Sequence, residues 1–476
     1  MCGFVGVIGT DRAGAAVHVA MQAMQHRGQD AAGLGTFDGK RFYLHKDLGT
    51  AVQAIPPEVV ASFGGRAGIG HVRYPTIGSA SREDAQPFLT RRPGILAAHN
   101  GNIINMDQLE EELRERGLFV LSRCDSEPIM LVLADELTRI RPGGHTSDDL
   151  VQALGALMDR VRGSYTVVAL MELDGRKTLV GVRDPHGIRP GVYGRGPGGA
   201  WMIASESVAL DALDYELVDN LPAGGVVLLR GGDEPVVRPV RDAPVRPCVF
   251  ERIYFARADS IMEGGRVNSV RWELGERLAE EWKARGLTAE VVVAVPDTSR
   301  PAAMAVAEKL GIPNREGFIK NRYSGRTFIM PDQTAREAAL RLKLNLIGEV
   351  FTGKRVILMD DSIVRGSTMR RIVEMVRTAG PKEIHVAIFS PPVRHPCFYG
   401  IDMPSREELL AAGFGDEEFD LRLAAYFGVD SITYLSQEGL EAVNGGRTCA
   451  ACFTGEYVVP ISDEERGYIL SQRRSA

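Results

Sequence analysis

Short apolar runs, separated by clusters of glycine and polar residues, dominate the first half of the chain. They include CGFVGVIG, AGIGHVRY, GILAAHNGN, YTVVALMEL, KTLVGVRD, WMIASES and GGVVLLRG. Runs of this length with turn residues between them are typical of strands in a mostly antiparallel sheet. Residues 13–26, 104–116 and 126–140 show the helical spacing of apolar positions instead. The pattern therefore predicts sheets packed against each other, with helices outside them.

The pattern changes in the middle of the chain. Residues 231–247 are rich in proline, arginine and acidic residues and show no helical period, which favours a connection between domains. Beyond them, VVVAVP and VILM are continuous apolar runs, typical of parallel strands buried on both faces. A predicted helix follows the first run, with Pro301 at its first position and Gly311 at its C-cap. We therefore expect one domain at residues 2–235 and a second, an open α/β sheet, at residues 248–476.

Composition narrows the classes of protein that remain. The 476 residues include 56 Lys and Arg against 62 Asp and Glu, a net charge of −6, so the clustered basic surface of a nucleic-acid-binding protein is not expected. No apolar stretch reaches the ~18 residues of a membrane span, and the start of the chain shows no signal pattern. Six cysteines are too few for a disulfide framework in a chain of this length. We expect a cytoplasmic protein that binds neither nucleic acid nor membrane.

The stretch VILMDDSIVRGST, residues 356–368, joins a buried strand to a helix through acidic and small residues. Two adjacent carboxylates, Asp360 and Asp361, can hold a ribose diol or a hydrated Mg²⁺. Backbone N–H groups and hydroxyls at the start of a helix bind anions. The residues that offer them are Arg365, Gly366, Ser367 and Thr368. A surface turn with a capped helix is the ordinary alternative.

This stretch resembles the phosphoribosylpyrophosphate (PRPP) motif of the type I phosphoribosyltransferases, which are open parallel sheets. The resemblance implies that the carboxylates and the turn bind PRPP and Mg²⁺. Residues 295–303, VPDTSRPAA, join another strand end to a helix, and Thr298 matches a position that contacts the metal in that family.

A third loop, KNRYSGRTFIMPDQTAR at residues 320–336, resembles the mobile loop that closes over PRPP in the same family. Closure excludes water, which matters because the transition state at C1 resembles an oxocarbenium ion that water would trap. The resemblance implies that Lys320 and Arg326 bind PRPP. A solvated basic loop is the ordinary alternative.

Four short motifs in the first half give a new meaning to the cysteine at position 2. They are HRGQDAAG at 26–33, HVRYPTIG at 71–78, HNGNI at 99–103 and CDSEP at 124–128. In this order they resemble the motifs of the N-terminal-nucleophile glutamine amidotransferases. The resemblance implies an αββα sandwich, in which two sheets lie between layers of helices, and a glutaminase activity.

The chemistry of this family implies a role for each matched residue. Removal of the initiator methionine exposes the Cys2 amine, whose ordinary pKa of about 8 suits a general base for the neighbouring thiol. Asn100 and Gly101 match the donors that stabilise the oxyanion formed when the thiolate attacks the glutamine side-chain amide. Arg73 matches the residue that binds the glutamine α-carboxylate, and Asp125 the acid that receives the α-ammonium group. Taken singly, each has an ordinary structural explanation, since Asn-Gly is also a common hairpin turn.

Four other cysteines lie in the second half of the chain, namely Cys248, Cys397, Cys449 and Cys452. Their number and spacing suit zinc and an iron–sulfur cluster equally well, and unligated buried cysteines are the ordinary alternative. Their contexts, CVFERIYFARADS, SPPVRHPCFYGID and TCAACFTGEY, resemble the iron–sulfur branch of one glutamine amidotransferase family. The resemblance implies that they hold a structural [4Fe–4S] cluster. Cys124 departs from the family pattern, because relatives usually have a small hydroxyl residue there.

The whole chain resembles the glutamine PRPP amidotransferase family. This implies that ammonia released from glutamine passes through an internal channel to C1 of PRPP. The products are 5-phosphoribosylamine, glutamate and pyrophosphate, in the first step of purine synthesis. The resemblance also implies Mg²⁺ and [4Fe–4S] cofactors, feedback inhibition by purine nucleotides, and a homotetramer. A glutaminase with another acceptor and a non-catalytic PRPP-sensing regulator are the alternatives. The PRPP motif opposes the first, and the absence of a basic DNA-binding segment opposes the second.

Overall fold

Two antiparallel sheets packed face to face form the first half of the computed structural model, which describes residues 2–74, 81–321 and 344–474. The first sheet contains, in spatial order, β11 (Glu216–Asn220), β9 (Val192–Arg195), β10 (Trp201–Ala204), β1 (Gly3–Ile8), β4 (Ala67–Arg73), β2 (Ala31–Phe37) and β3 (Phe42–Leu48). The second contains β13 (Val236–Pro239), β12 (Gly225–Leu229), β8 (Arg176–Arg183), β7 (Gly163–Leu173), β6 (Gly94–Ile103) and β5 (Phe88–Arg91). The predicted strands are all present within these sheets.

The central strands of the first half are buried on both faces, because helices cover the outer face of each sheet. Phe4 of β1 packs with Leu96 and Leu170 of the second sheet, in the layer between the sheets. Val7, which points to the other face of β1, packs with Met21 of a covering helix. This alternation of side-chain direction along a strand places one core between the sheets and another beneath the helices. The predicted αββα sandwich is confirmed.

The helices of the first half are Ala13–Ala23, Ala51–Ala54, Pro57–Ser62, Met106–Glu115, Ser126–Ile140, Ser147–Arg160 and Val208–Asp211. The three helices predicted from apolar spacing are confirmed, although the first ends at Ala23 and a separate turn, Gln25–Arg27, follows it. Within the connection predicted at 231–247, β13 adds an exposed strand to the edge of the second sheet by pairing with β12. The first half therefore extends structurally past residue 235.

A parallel sheet forms the centre of the second half. Its strands, in spatial order, are β16 (Val291–Ala294), β19 (Arg355–Asp360), β20 (Glu383–Ile388) and β21 (Ser431–Tyr434). Two small hairpins accompany it, β14 (Ile261–Met262) with β15 (Gly265–Arg266) and β17 (Phe318–Lys320) with β18 (Leu344–Leu346). The predicted open parallel sheet is confirmed, and the carboxyl ends of β16 and β19 meet at one edge, where ligands of such sheets bind.

The helices of the second half are Val267–Ala284, Arg300–Leu310, Ser367–Arg377, Phe419–Phe427, Gln437–Asn444, Ala451–Thr454 and Asp463–Arg474, with a short π-helical turn at Glu251–Phe255. Pro301 lies in the first turn of its helix, and Gly311 ends that helix with a φ of 69°, as predicted. No helix in the described ranges is long and apolar enough to cross a membrane.

Candidate active sites

Cys2 lies immediately before β1, where the two sheets of the first half meet. Its backbone nitrogen donates a hydrogen bond to Oδ1 of Asn100 at 3.1 Å, and its Sγ lies 3.7 Å from the carbonyl oxygen of Tyr74. Arg27 donates from Nε to the carbonyl oxygen of Cys2 at 3.0 Å. Cys2 remains partly exposed, so a substrate can reach its thiol. Met1, whose removal we predict, is outside the described residues.

Asn100 and Gly101 follow each other on β6, beside Cys2. Asn100 is 1% exposed, and its Nδ2 has no hydrogen-bond partner among the described residues. A buried N–H group without a partner is costly, so this donor is well suited to a negatively charged group that arrives with the substrate. A Cβ at Gly101 would lie 2.0 Å from the carbonyl oxygen of Ser164, so no larger residue fits there. The predicted pair therefore lies beside the predicted nucleophile.

Arg73 and Asp125 provide opposite charges in the same buried pocket. Arg73 is 3% exposed, and its Nη1 lies 3.6 Å from Oδ2 of Asp84. Asp125 accepts a hydrogen bond from the N–H of Ile103 at 3.1 Å. Burial would raise the pKa of Asp125, but the charge and hydrogen bond of His99, the Ile103 N–H and the charge of Arg73 together lower it. An ionised acid and a guanidinium suit the two charged ends of an α-amino acid.

A buried charge network beneath Cys2 was not predicted. Arg27 pairs with Glu206 and binds both carboxylate oxygens of Glu251, at 2.9 and 3.1 Å, while Arg189 binds Glu251 at 3.1 Å. Burial would raise the pKa of Glu206, but the charges of Arg27 and His26 lower it far below its ordinary value. Arg27 lies in the HRGQDAAG motif, so the sequence contained a signal that could have identified it. Glu206 and Glu251 lie in no motif.

The predicted PRPP motif lies where β19 ends and the helix Ser367–Arg377 begins. Gly366 precedes the helix with a φ of 77°, and a Cβ there would lie 2.5 Å from the side chain of Leu410. The turn therefore requires glycine. The exposed Ser367 and Thr368 place the first N–H groups and hydroxyls of the helix at the carboxyl edge of the sheet, where they can bind an anion.

Asp360 and Asp361, at the end of β19, carry charges that the surrounding protein leaves poorly stabilised. Burial and the neighbouring Asp361 carboxylate raise the pKa of Asp360 well above its ordinary value, although part of its surface is exposed. Burial also raises the pKa of Asp361 to about 6, and hydrogen bonds from Ser362 and Thr298 and the charge of Arg271 only partly oppose this. Thr298, also predicted to bind metal, therefore lies near enough to Asp361 to lower the pKa of that carboxyl. Oxygen donors of this kind suit a Mg²⁺ ion.

Lys320 and Arg365, two of the cations predicted for PRPP, are exposed at the same end of the sheet, and both have a carboxylate partner. Lys320 donates from Nζ to Asp297 at 2.8 Å, with 52% of its side chain exposed. Arg365 donates from Nε to Glu408 at 3.1 Å, with 55% of its side chain exposed. Arg326 lies outside the described residues. The structure thus brings the carboxylates and Thr298 together, whereas Lys320 and Arg365 are paired with other acids.

The four cysteines of the second half converge in a buried region. Cys449 donates its N–H to Pro247 at 2.9 Å and accepts at its carbonyl from Val249 at 3.2 Å, which places it beside Cys248. Burial raises the pKa of the Cys452 thiol well above its ordinary value, and the neighbouring Cys248, Cys397 and Cys449 add to this. The four thiols are thus close enough to interact electrostatically.

The spacing of these thiols bears on the group that they can hold. Among the described residues, no group of three or more His, Cys, Asp or Glu side chains is arranged to hold a single metal ion. The residues present are four buried thiols from three segments of the chain, a donor set that suits zinc or an iron–sulfur cluster, and ligation would release the thiol protons.

Family models match both halves of the chain. A glutamine amidotransferase domain matches residues 71–212, and a phosphoribosyl transferase domain matches residues 273–395. Fold and sites therefore define a glutamine amidotransferase joined to a phosphoribosyltransferase.

Full-length relatives identify the family. The chain is 43% identical to the amidophosphoribosyltransferase of Pseudomonas aeruginosa, covering all of this chain and 96% of that one. It is 42% identical to the Archaeoglobus fulgidus enzyme of the same name, covering 98% and 99%. A structure of the B. subtilis glutamine PRPP amidotransferase complexed with ADP and GMP is 35% identical, with a TM-score of 0.85 over 97% of this chain and 98% of that one. The chain belongs to the amidophosphoribosyltransferase family. It uses glutamine and PRPP to make 5-phosphoribosylamine, the first step of purine biosynthesis.

Proposed function

We propose that the first half of this amidophosphoribosyltransferase releases ammonia from glutamine by attack of the Cys2 thiolate, with the Cys2 amine as general base. Asn100 and Gly101 stabilise the oxyanion, Arg73 binds the substrate carboxylate, and Asp125 binds the ammonium group. The observation that carries this assignment is the position of Asn100, whose Oδ1 accepts from the Cys2 nitrogen while its Nδ2 is buried without a partner in the described structure. A donor aimed at developing negative charge acts strongly in a site that excludes water.

The second half, we propose, transfers that ammonia to C1 of PRPP after it has passed inside the protein. Asp360, Asp361 and Thr298 hold Mg²⁺, which when bound neutralises the pyrophosphate. The turn at 365–368 binds the 5-phosphate through its N–H groups and hydroxyls, and Lys320 and Arg326 bind the pyrophosphate. Two carboxylates with raised pKa values support a cation site, because a bound cation removes their repulsion.

The division of labour predicts a selective effect of Cys2→Ala. Glutamine-dependent pyrophosphate release from PRPP should fall to background, because the nucleophile is lost, while release with added ammonium chloride should remain within about twofold. Cys124→Ala, which removes a buried thiol next to Asp125, is the matched control and should retain both activities. Loss of both activities in folded Cys2→Ala protein would contradict the assignment.

We also propose that Cys248, Cys397, Cys449 and Cys452 hold a structural [4Fe–4S] cluster, as in the iron–sulfur branch of the family. The support is the convergence of four buried thiols from three segments of the chain in one buried region. The cluster would connect the start of the second half to its C-terminal segment and takes no part in the reaction.

The cluster proposal is tested on protein purified without oxygen. Iron and acid-labile sulfide should each approach four per chain in the unaltered protein. Cys452→Ser should lose most of the iron and the visible absorbance, and its Tm should fall, whereas Cys124→Ser should keep its iron. A chain free of iron and sulfide after anaerobic purification would exclude the cluster.

Regulation and assembly are proposed from the same relatives. The B. subtilis structure contains ADP and GMP, and a second relative, 36% identical with a TM-score of 0.87, is described as the allosteric regulatory enzyme of purine biosynthesis. We propose feedback inhibition by purine nucleotides and a homotetramer in the cytoplasm, where the six free cysteines stay reduced. Calorimetry with ADP and GMP and sedimentation equilibrium test these two properties.

A further inference from the structure

A loop of the second half, Phe398–Gly400, packs directly against β6, the strand that carries the proposed oxyanion donors Asn100 and Gly101. Asn102, on β6, donates from Nδ2 to the carbonyl oxygen of Phe398 at 2.9 Å. Ser164, on the neighbouring β7, donates from Oγ to the carbonyl oxygen of Tyr399 at 2.8 Å. Asn102 and Ser164 are fully buried, so water does not compete for these bonds. The loop is therefore fixed against β6, the strand that carries the proposed oxyanion donors.

Two glycines come close together in this interface. Gly400, with a φ of 97°, lies so near β6 that a Cβ added to it would be 2.8 Å from the carbonyl oxygen of Gly101 and 2.9 Å from its carbonyl carbon. Gly101 is also confined by β7, because a Cβ there would lie 2.0 Å from the carbonyl oxygen of Ser164. The backbone at Gly101 is thus held between β7 and Gly400.

The loop itself is held firmly. The carbonyl oxygen of Tyr399 also accepts from Nε of Arg189 at 2.6 Å. The Tyr399 hydroxyl donates to the carbonyl of Val459 and accepts from its N–H, each at 2.8 Å. The N–H of Tyr399 donates to Sγ of Cys397 at 3.3 Å. Contacts from both halves of the chain therefore fix Phe398–Gly400, so the loop can determine the position of its neighbour.

We propose that the segment Phe398–Gly400 of the phosphoribosyltransferase half positions the backbone of Gly101, and that Gly400 is a positioning residue for the glutaminase reaction. The inference rests on the proposed oxyanion role of Asn100 and Gly101. Oxyanion donors act only when they lie within hydrogen-bond distance of the developing charge, and loss of one lowers kcat by roughly 10²–10³. A displacement of about 1 Å can cost on the order of 10² in rate.

The test is Gly400→Ala, with Gly415→Ala as the matched control. A Cβ added to Gly415 would have no heavy atom within 4 Å, and Gly415 has no positive φ, so its substitution should change nothing. Gly400→Ala should lower kcat for glutamine hydrolysis by about 10- to 100-fold. KM for glutamine should stay within about twofold, because the charged side chains of Arg73 and Asp125 are retained. Ammonia-dependent pyrophosphate release should be unchanged.

Alkylation of Cys2 by iodoacetamide separates positioning from a general structural loss. This reaction forms no oxyanion, so its rate should be the same in Gly400→Ala and in the unaltered protein. The double substitution Asn102→Ala with Ser164→Ala removes the two interdomain hydrogen bonds without adding an atom. This double variant should also lower kcat for glutamine hydrolysis, by a smaller factor. If Gly400→Ala does not fold, the double variant alone tests whether the loop positions Gly101.

Unchanged kcat in the folded variants would overturn the inference. Asn100→Ala distinguishes this outcome from failure of the proposed function. If Asn100→Ala loses glutamine hydrolysis while the loop variants retain it, Gly400 does not position the site although the oxyanion assignment stands. If Asn100→Ala also retains full activity, the oxyanion assignment itself is wrong.

Discussion

The proposed glutamine site and the proposed PRPP site of this enzyme differ in how far the protein itself satisfies their charges. In the glutamine site, Asp125 has a lowered pKa, and Arg73 is buried beside Asp84. In the PRPP site, the pKa values of Asp360 and Asp361 are raised. Lys320 and Arg365, predicted to lie there, are more than half exposed and paired with carboxylates outside the motif.

The two sites therefore differ in how much of their arrangement exists before a substrate binds. The glutamine site lies between two sheets, with its donors and charges already oriented, so little rearrangement is needed when substrate binds. The PRPP site lies at the open edge of a sheet, where two adjacent carboxylates repel each other until a cation arrives. Its final arrangement therefore depends on the ligands that it binds.

The largest expected effect comes from the PRPP carboxylates. Asp361→Asn should lower pyrophosphate release from PRPP by roughly 100-fold or more, with glutamine or ammonia alike, because charge stabilisation of the pyrophosphate is lost. Glutamine hydrolysis should persist. Steady-state assays with each nitrogen donor measure this, and Glu417→Gln, an exposed acid of the same half, is the control. Unchanged PRPP kinetics would show that the two sites are not divided in this way.

The buried ion pairs of Arg27 should contribute more to the free energy of unfolding than an exposed ion pair does. Arg27→Met leaves Glu206 and Glu251 without their common partner, and removal of one member of a buried ion pair costs about 3–5 kcal/mol. Arg66→Met breaks an exposed pair with Asp11 and should cost about 0–1 kcal/mol. Urea unfolding measures both. Equal losses in the two variants would mean that the buried network contributes no more than a surface pair.

The smallest expected effects concern pH, where the sites should respond in opposite directions. The lowered pKa of Glu206 means that the unfolded chain binds more protons, so its contribution to stability is present above about 4.5 and is lost as pH falls. The pKa of Asp361, raised to about 6, means that stability falls as pH rises from about 4 to about 6.

The two pH effects can be separated by substitution. Glu206→Gln should weaken the loss of stability below about pH 4.5, and Asp361→Asn should remove about 3 kcal/mol of the change between about pH 4 and 6. Thermal melts across this range measure both. If Mg²⁺ does not reduce the Asp361 effect, the cation site lies elsewhere.

Sequence patterns predicted much of the fold because most buried strands keep an apolar run. In the first sheet, β2, β3, β9 and β11 were not predicted. In β2, Gly33 and Gly35 weaken the apolar pattern, yet a Cβ at Gly33 would lie 2.1 Å from the carbonyl oxygen of Gln86. The edge strand β3, FYLHKDL, contains no buried residue, and its apolar and polar residues do not alternate regularly. Close packing and edge position are tertiary properties that a local pattern does not show.

The candidate sites also contain residues that a local sequence pattern identifies and residues that only tertiary contacts identify. Cys2, Asn100 and Asp361 lie in motifs, where chemistry requires particular residues at short spacing, and motif resemblance was sufficient to select them. Glu206 and Glu251 lie in no motif, and Glu251 meets Arg27 across 224 positions of sequence. Gly400 is one glycine among 53 in the chain, and only the approach of two distant backbones distinguishes it. Residues that act by contact between halves have no local signal.

The separation of Arg27 and Glu251 also has a consequence for the order of events on the ribosome. Chains are made at about 5–20 residues per second, so on the order of ten seconds or more pass between the synthesis of these two residues. During most of that interval Glu206 has not been made either, so Arg27 lacks both of its acidic partners, and the loop that contacts Gly101 does not yet exist. The glutaminase half of the nascent chain is therefore structurally incomplete until the phosphoribosyltransferase half, which uses its ammonia, has also been synthesised.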